Sequence, residues 1–298
     1  MSFQTIDDLQ EALREENYIA DRGLATTMFL ALKLQRPLFL EGAPGVGKTE
    51  IAKVMATVLN TDLIRLQCYE GLDVNQAVYE WNYTRQMLHI RLSEAQGDHT
   101  SEAELFGPEF LLERPLLQAI HASNVKPPVL LIDEIDRSDE EFEAFLLEVL
   151  SDFQITIPEI GTIRAEQPPV VVLTSNRTRE VHDALKRRCL YYWIDYPSFE
   201  KELEIVNAKV PAAADRLAKE VTAFIQELRE VDLYKVPGVA ETLDWTSALV
   251  ALGQQSLDES IVTETIGVIL KYQDDISLVK GETARQILDR IRVSARTT

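Results

Sequence analysis

A chain of 298 residues, 46% hydrophobic and 27% charged, has enough material for one large or two medium cores and reads as an ordinary globular protein. Thirty basic against 49 acidic side chains leave a net charge of −19, with no lysine–arginine block anywhere. That balance excludes the electrostatic footprint of a nucleic-acid binder or of a protein seated on an anionic membrane, and it favours other proteins as the large partners. The two cysteines, Cys68 and Cys189, lack metal-ligand spacing and are expected to be reduced thiols. The acidic segment Met1–Asp8 does not resemble a signal peptide, and no apolar run approaches the length of a membrane span, so the expected location is cytoplasmic.

In chain order, residues 5–16 and 18–34 read as two helices, the second amphipathic through Ile19, Leu24, Met28, Leu30 and Leu34. Pro37 ends the helical pattern and the apolar run 37–41 reads as a short buried strand. Then comes Gly42-Ala43-Pro44-Gly45-Val46-Gly47-Lys48-Thr49, followed from Glu50 by apolar residues at helical spacing. Strand, glycine-rich turn and helix form the context that the G-x-x-x-x-G-K-[ST] phosphate loop requires. Glycines let successive backbone N–H groups point inward, and the helix N-terminus adds the positive end of its dipole. Lys48 can then reach β and γ phosphates and the Thr49 hydroxyl can hold Mg²⁺. Gly42 through Thr49, with Glu50, are the candidate residues for binding a nucleoside triphosphate.

Residues 62–68 look like a second strand. From about 69 to 108 the periodicity is poor and the composition mixed, which suggests an insertion facing solvent or a partner, or an ordinary long surface connection. A helix is expected over 111–120. Val129 to Ile132 then run continuously apolar into Asp133 and Glu134, as suits a central parallel strand buried on both faces. Acids at the carboxyl end of such a strand lie where open α/β sheets keep their ligand crevice. Asp133 is placed to hold the metal and Glu134 to act as general base on an attacking water, with Asp136 next in line for that role.

Ser138 to Glu141 reads as a capping box that opens a helix whose Phe142, Phe145, Leu146, Val149 and Leu150 form a core stripe. Residues 153–163 alternate around a Pro and a Gly and read as a hairpin. The run 169–176 is another buried strand, and its terminal Asn176 either orients the same water as Glu134 or is a turn residue. Asp183 to Cys189 ends a helix before a strand at 190–195. Arg187 and Arg188 there either complement the helix dipole or act as an arginine finger toward a neighbouring subunit. Beyond Pro197 and Ser198 only helical patterns remain, which suggests a small all-α domain.

These residues resemble those of an AAA+ ATPase: Gly42–Thr49 as Walker A, Val129–Glu134 as Walker B, Asn176 as sensor 1, and Arg187 and Arg188 before the fifth strand. The hairpin and the long segment after the second strand further resemble the MoxR family. Within it, the phrases at 65–71, 80–83 and 186–189 are similar to those of ATPases paired with von Willebrand factor A proteins, including the accessory ATPases of carbon monoxide dehydrogenase maturation. The resemblance implies an α/β fold: an αβα sandwich on a parallel five-stranded sheet over residues 1–198, then a helical lid over 199–298. It also implies ATP and Mg²⁺ as cofactors and a homo-oligomer, as a hexameric ring. Such a ring remodels a protein client, such as a metalloenzyme, together with a von Willebrand factor A partner. The implied catalytic set is Glu134, Asn176 and one of Arg188 and Arg187, with Arg188 placed first, and the implied metal ligands are Thr49 and Asp133. The chain departs from the family pattern at sensor 2, since no arginine occurs between Arg229 and Arg285. A phosphate-loop kinase acting on a small molecule, or a nucleotide-regulated scaffold without hydrolysis, remain as alternative readings of the same motifs.

Overall fold

The computed structural model describes residues 3–97, 101–121 and 126–297; parts of the expected insertion (98–100), with Met1, Ser2 and Thr298, lie outside the described residues. Contacts divide the chain into two units. One comprises the described residues of 1–12, 21–41 and 49–193, and the other those of 13–20, 42–48 and 194–298.

α1 (Ile6–Glu15), of which 6–12 fall in the first unit, and α2 (Arg22–Leu34) precede strand β1 (Leu38–Gly42), whose residues 38–41 fall there too. The side chain of Asp21 caps α2 by accepting from Leu24 N at 2.8 Å, which starts this helix later than the apolar pattern suggests. α3 (Lys48–Leu59) leads to β2 (Leu63–Gln67), the short turn α4 (Val74–Ala77), β3 (Tyr79–Trp81), α5 (Tyr83–Gln96) and α6 (Glu102–Leu105). Then come β4 (Leu111–Glu113), α7 (Pro115–His121), β5 (Val129–Asp133), α8 (Glu140–Asp152), β6 (Gln154–Ile157) and β7 (Gly161–Arg164). β8 (Val170–Ser175), α9 (Asp183–Arg188) and β9 (Leu190–Ile194) complete the unit.

The main sheet has the order β2-β5-β8-β1-β9, parallel in the pairs β2–β5, β5–β8 and β8–β1. All five residues of β1 and of β5 are buried, as a continuous apolar run in a covered parallel sheet requires, whereas the edge strands β2 and β9 are only partly covered. Because these strands run the same way, their carboxyl ends share one edge, and the register sets Gln67 opposite Asp133 and Glu41 opposite Ser175. β6 and β7 pair antiparallel, as expected for the hairpin.

Three local readings change. Leu111 to Glu113 do not begin a helix; they pair antiparallel with β3, and the helix starts at Pro115. Proline is favourable at the first helical position, and it disfavours helical geometry in the residue before it. The cap of α8 is Asp139, whose carboxylate accepts from Phe142 N at 2.8 Å, while the Ser138 hydroxyl donates to Ile135 O. The segment after β2 also contains a 14-residue helix, α5, whose Met87, Leu88 and Leu92 are exposed, so no buried stripe marked it.

The second unit is helical: α10 (Phe199–Lys209), α11 (Asp215–Arg229), α12 (Val239–Ala251), α13 (Glu259–Thr265), α14 (Gln273–Val279) and α15 (Glu282–Thr297). Its core gathers around Phe224 and Trp245, whose rings meet edge to face at 5.3 Å. A buried ion pair lies beside it. Arg229 grips both oxygens of Glu202 at 2.7 Å, and Thr242 and Gln226 supply further donors to the same carboxylate. Among the described residues, no helix is long and apolar enough to cross a membrane.

Candidate active site

The glycine-rich segment 42–48 belongs to the second unit, and Lys48 begins α3 directly from it. Only glycine fits at position 42, since a Cβ there would lie 2.1 Å from Ile194 O. The Lys48 ammonium is buried and donates to Gly42 O at 2.8 Å and Ala43 O at 2.7 Å, so it is folded over the curl of its own loop. Gly45 O accepts from Ala240 N at 3.0 Å, which pins the loop to the first turn of α12. Glu241 reaches back to Gly238 N at 2.9 Å, and its Oε2 lies 2.9 Å from where a Cβ on Gly45 would stand. A carboxylate thus occupies the start of this helix, within the stretch between Arg229 and Arg285 that holds no arginine. The nearest upstream arginine, Arg229, is committed to Glu202 and to Pro237 O.

In the first unit the sheet edge assembles a polar cluster. Asp133 is buried at the end of β5; its Oδ1 accepts from Thr49 Oγ1 at 3.0 Å and Thr174 Oγ1 at 2.5 Å, and its Oδ2 from Arg65 Nη2 at 2.5 Å. Glu134 follows in left-handed geometry, at φ 56° and ψ 51°. That is an uncommon conformation for a side chain with a Cβ, and Glu134 N is held there by Thr174 Oγ1 at 2.9 Å. Three donors then fix the Glu134 carboxylate: Asn176 Nδ2 on Oε1 at 3.3 Å, and Gln67 Nε2 at 3.1 Å and Arg137 Nε at 2.9 Å on Oε2. Asn176 and Glu134, which the sequence reading set on the same water, share a hydrogen bond.

Thr49 Oγ1 and Asp133 Oδ1 are hard oxygen donors in mutual contact, the kind Mg²⁺ takes together with phosphate oxygens and water, so the residues present fit that ion. Glu50 lies on α3 beside Lys53, 3.3 Å from its ammonium. Arg187 and Arg188 end α9, where Arg36 donates to both of their carbonyls. The Arg188 guanidinium is engaged with Leu147 O and Ser151 Oγ on α8, while the Arg187 side chain is exposed with no partner among the described residues. The arginine placed first in the sequence reading is thus the tethered one.

Arg65, Gln67, Arg137 and Thr174 were not singled out from the sequence. Gln67 and Thr174 become visible only through register, which brings the ends of β2 and β8 beside β5. A further set joins Glu41, buried at the end of β1, to Ser175 Oγ at 3.3 Å and Tyr191 hydroxyl at 2.9 Å. Burial and this carboxylate push the Tyr191 phenol up to about 12.

Residues 37–189, just over half of the chain, match the AAA domain (dynein-related subfamily). The chain belongs to this AAA family. It is 28% identical over 190 residues to the uncharacterized protein YehL of Escherichia coli, covering 60% of this chain and 47% of that protein. It is 25% identical over 224 residues to YeaC of Bacillus subtilis, covering 72% and 60%. The chain thus spans roughly half to three fifths of the length of these two relatives. Among solved structures a Thermotoga maritima RuvB variant superposes with a TM-score of 0.50 at 18% identity, covering 92% of this chain and 75% of that one, a likeness of fold alone. The α/β AAA+ core and the helical C-terminal region agree with this membership.

Proposed function

We propose that this AAA family member hydrolyses ATP with Mg²⁺, as a MoxR-type ATPase acting in an oligomeric ring. The observation that carries the reading is the contact of Asn176 with Glu134, beside the Thr49–Asp133 pair that follows directly on the phosphate loop. The backbone N–H groups of Gly42–Lys48 and the Lys48 ammonium bind the phosphates once that ammonium turns from Gly42 O and Ala43 O. Thr49 and Asp133 would hold Mg²⁺, which when bound neutralises charge on the phosphate oxygens. Glu134 accepts a proton from water as the water oxygen bonds to the γ-phosphorus. The bond from that phosphorus to the bridging oxygen breaks, and its electron pair leaves on ADP. Asn176 holds the Glu134 carboxylate and orients the water. Gln67 and Arg137 occupy the other carboxylate oxygen, which leaves Oε1 an acceptor position beside Asn176 for the water.

The net charge of −19 and the absence of a basic block support a protein client over nucleic acid, and the motif likeness supports a von Willebrand factor A partner and a client such as a metalloenzyme. The proposed setting is cytoplasmic, with an AAA+ module over 1–198 and a helical lid over 199–298. The test is release of phosphate from ATP with no acceptor added, together with ATP binding. Wild type turns over and binds, whereas Lys48→Ala does neither while keeping its far-UV spectrum. Turnover only with an added small-molecule acceptor would make the chain a kinase, and binding without turnover a scaffold.

A further inference from the structure

Thr174 has no part in the chemistry described above, yet its hydroxyl is spent on two residues that do. The side chain is buried, 1% exposed, near the carboxyl end of β8. It stands one residue beyond Leu173, which the sheet register sets opposite Ile132, the residue before Asp133. Its Oγ1 donates to Asp133 Oδ1 at 2.5 Å and accepts from Glu134 N at 2.9 Å. These directions are fixed, because an ionised carboxylate only accepts and a backbone N–H only donates. One partner would satisfy a buried hydroxyl. This one has two, on consecutive residues of the site.

The consequence falls on Glu134. Its left-handed backbone, at φ 56° and ψ 51°, is uncommon for a residue with a Cβ and persists only where the surroundings impose it. Thr174 grips that backbone at its N–H, while Asn176, two residues further along, grips the carboxylate at Oε1. One strand end thus holds the glutamate by backbone and by side chain. Asp133 Oδ1 also accepts from Thr49 Oγ1 at 3.0 Å, so the same hydroxyl ties this hold to the pair that fits Mg²⁺. A threonine suits the place better than a serine, because branching at Cβ restricts χ1 and keeps the oxygen aimed. We propose that Thr174 is a positioning residue for ATP hydrolysis, locking the Glu134 backbone to the Asp133 carboxylate so that the two keep one geometry. The inference rests on the ATPase reading and adds to it a residue that acts through Glu134 and Asp133.

Thr174→Val keeps the branched shape and removes the hydroxyl, whereas Thr174→Ser keeps the hydroxyl and removes the methyl. In phosphate release from ATP, Thr174→Val should lower kcat by about 10–100-fold with KM little changed, the usual loss when a supporting hydrogen bond behind a site is removed. Thr174→Ser should recover most of the rate, which a packing role for the methyl would not allow. In a Glu134→Gln background the valine should cost far less than it does alone, because much of its effect passes through that glutamate. A second readout needs no nucleotide. In protein labelled with heavy nitrogen at its glutamates, the Glu134 amide is the signal lost in Glu134→Gln. That amide should exchange with deuterium about tenfold faster in Thr174→Val than in wild type or Thr174→Ser. Should the valine variant melt early, Thr174→Ala against Thr174→Ser makes the same comparison without the branch. A wild type that turns over while the folded valine or alanine variant keeps pace, or unchanged exchange at Glu134, overturns the positioning role. A wild type without turnover overturns the ATPase reading itself, with the role that rests on it, so the two failures are distinct.

Discussion

Glu134 sits on a left-handed backbone with three side-chain donors around its carboxylate, an arrangement that fixes where its oxygens point. Glu134→Gln should leave ATP binding intact and slow phosphate release by about 10²–10⁴-fold, the usual loss when a general base is removed. Unchanged release would place the base elsewhere. The two cysteines make a second expectation. Burial raises both thiols from an ordinary 9.0 to about 12, so at pH 8 they stay protonated and iodoacetamide should label them only as the chain unfolds. The unfolded chain loses these protons near pH 9 while the folded chain keeps them toward 12, so stability is full below about 9 and falls as pH rises through that window. Thermal melts at pH 8, 9.5 and 10.5 should show a steadily falling midpoint; a flat profile would contradict it.

Between residues and molecule, the elements show which local signals sequence carries. The buried strands β1, β5 and β8 were legible because a covered parallel strand needs an unbroken apolar run, and the phosphate loop because its chemistry is local. Of the donors around Glu134, Asn176 was legible, whereas Gln67 acquires meaning only when β2 is set beside β5 and Arg137 only through the tight turn that follows Glu134. α5 was missed because its apolar residues face outward and leave no buried stripe. At the start of α8 two adjacent capping residues competed. Asp139→Ala should cost about 1 kcal/mol in denaturant unfolding, and Ser138→Ala less, because the aspartate makes the capping bond. The reverse order would return the cap to the serine.

For the whole molecule the arginines at the end of α9 carry the test of assembly. Arg187 is exposed and unpartnered among the described residues, and Arg188 is anchored to α8. If Arg187 acts as an arginine finger in a ring, Arg187→Ala should bind ATP normally and hydrolyse it about 10³-fold more slowly. Mixing it with Lys48→Ala should restore part of the activity, because only then does an intact arginine meet an intact phosphate loop across an interface. Co-assembly without rescue would make the arginine act within its own subunit or only at its helix end.

The phosphate loop has one more consequence, and it concerns synthesis. Gly45 O takes its hydrogen bond from Ala240 N, and a Cβ on Gly238 would stand 2.8 Å from Pro44 O. A ribosome makes residue 45 long before residue 240, so a nascent chain carries a finished Walker A sequence without the turn that braces it. The loop thus gains this brace only once α12 has emerged.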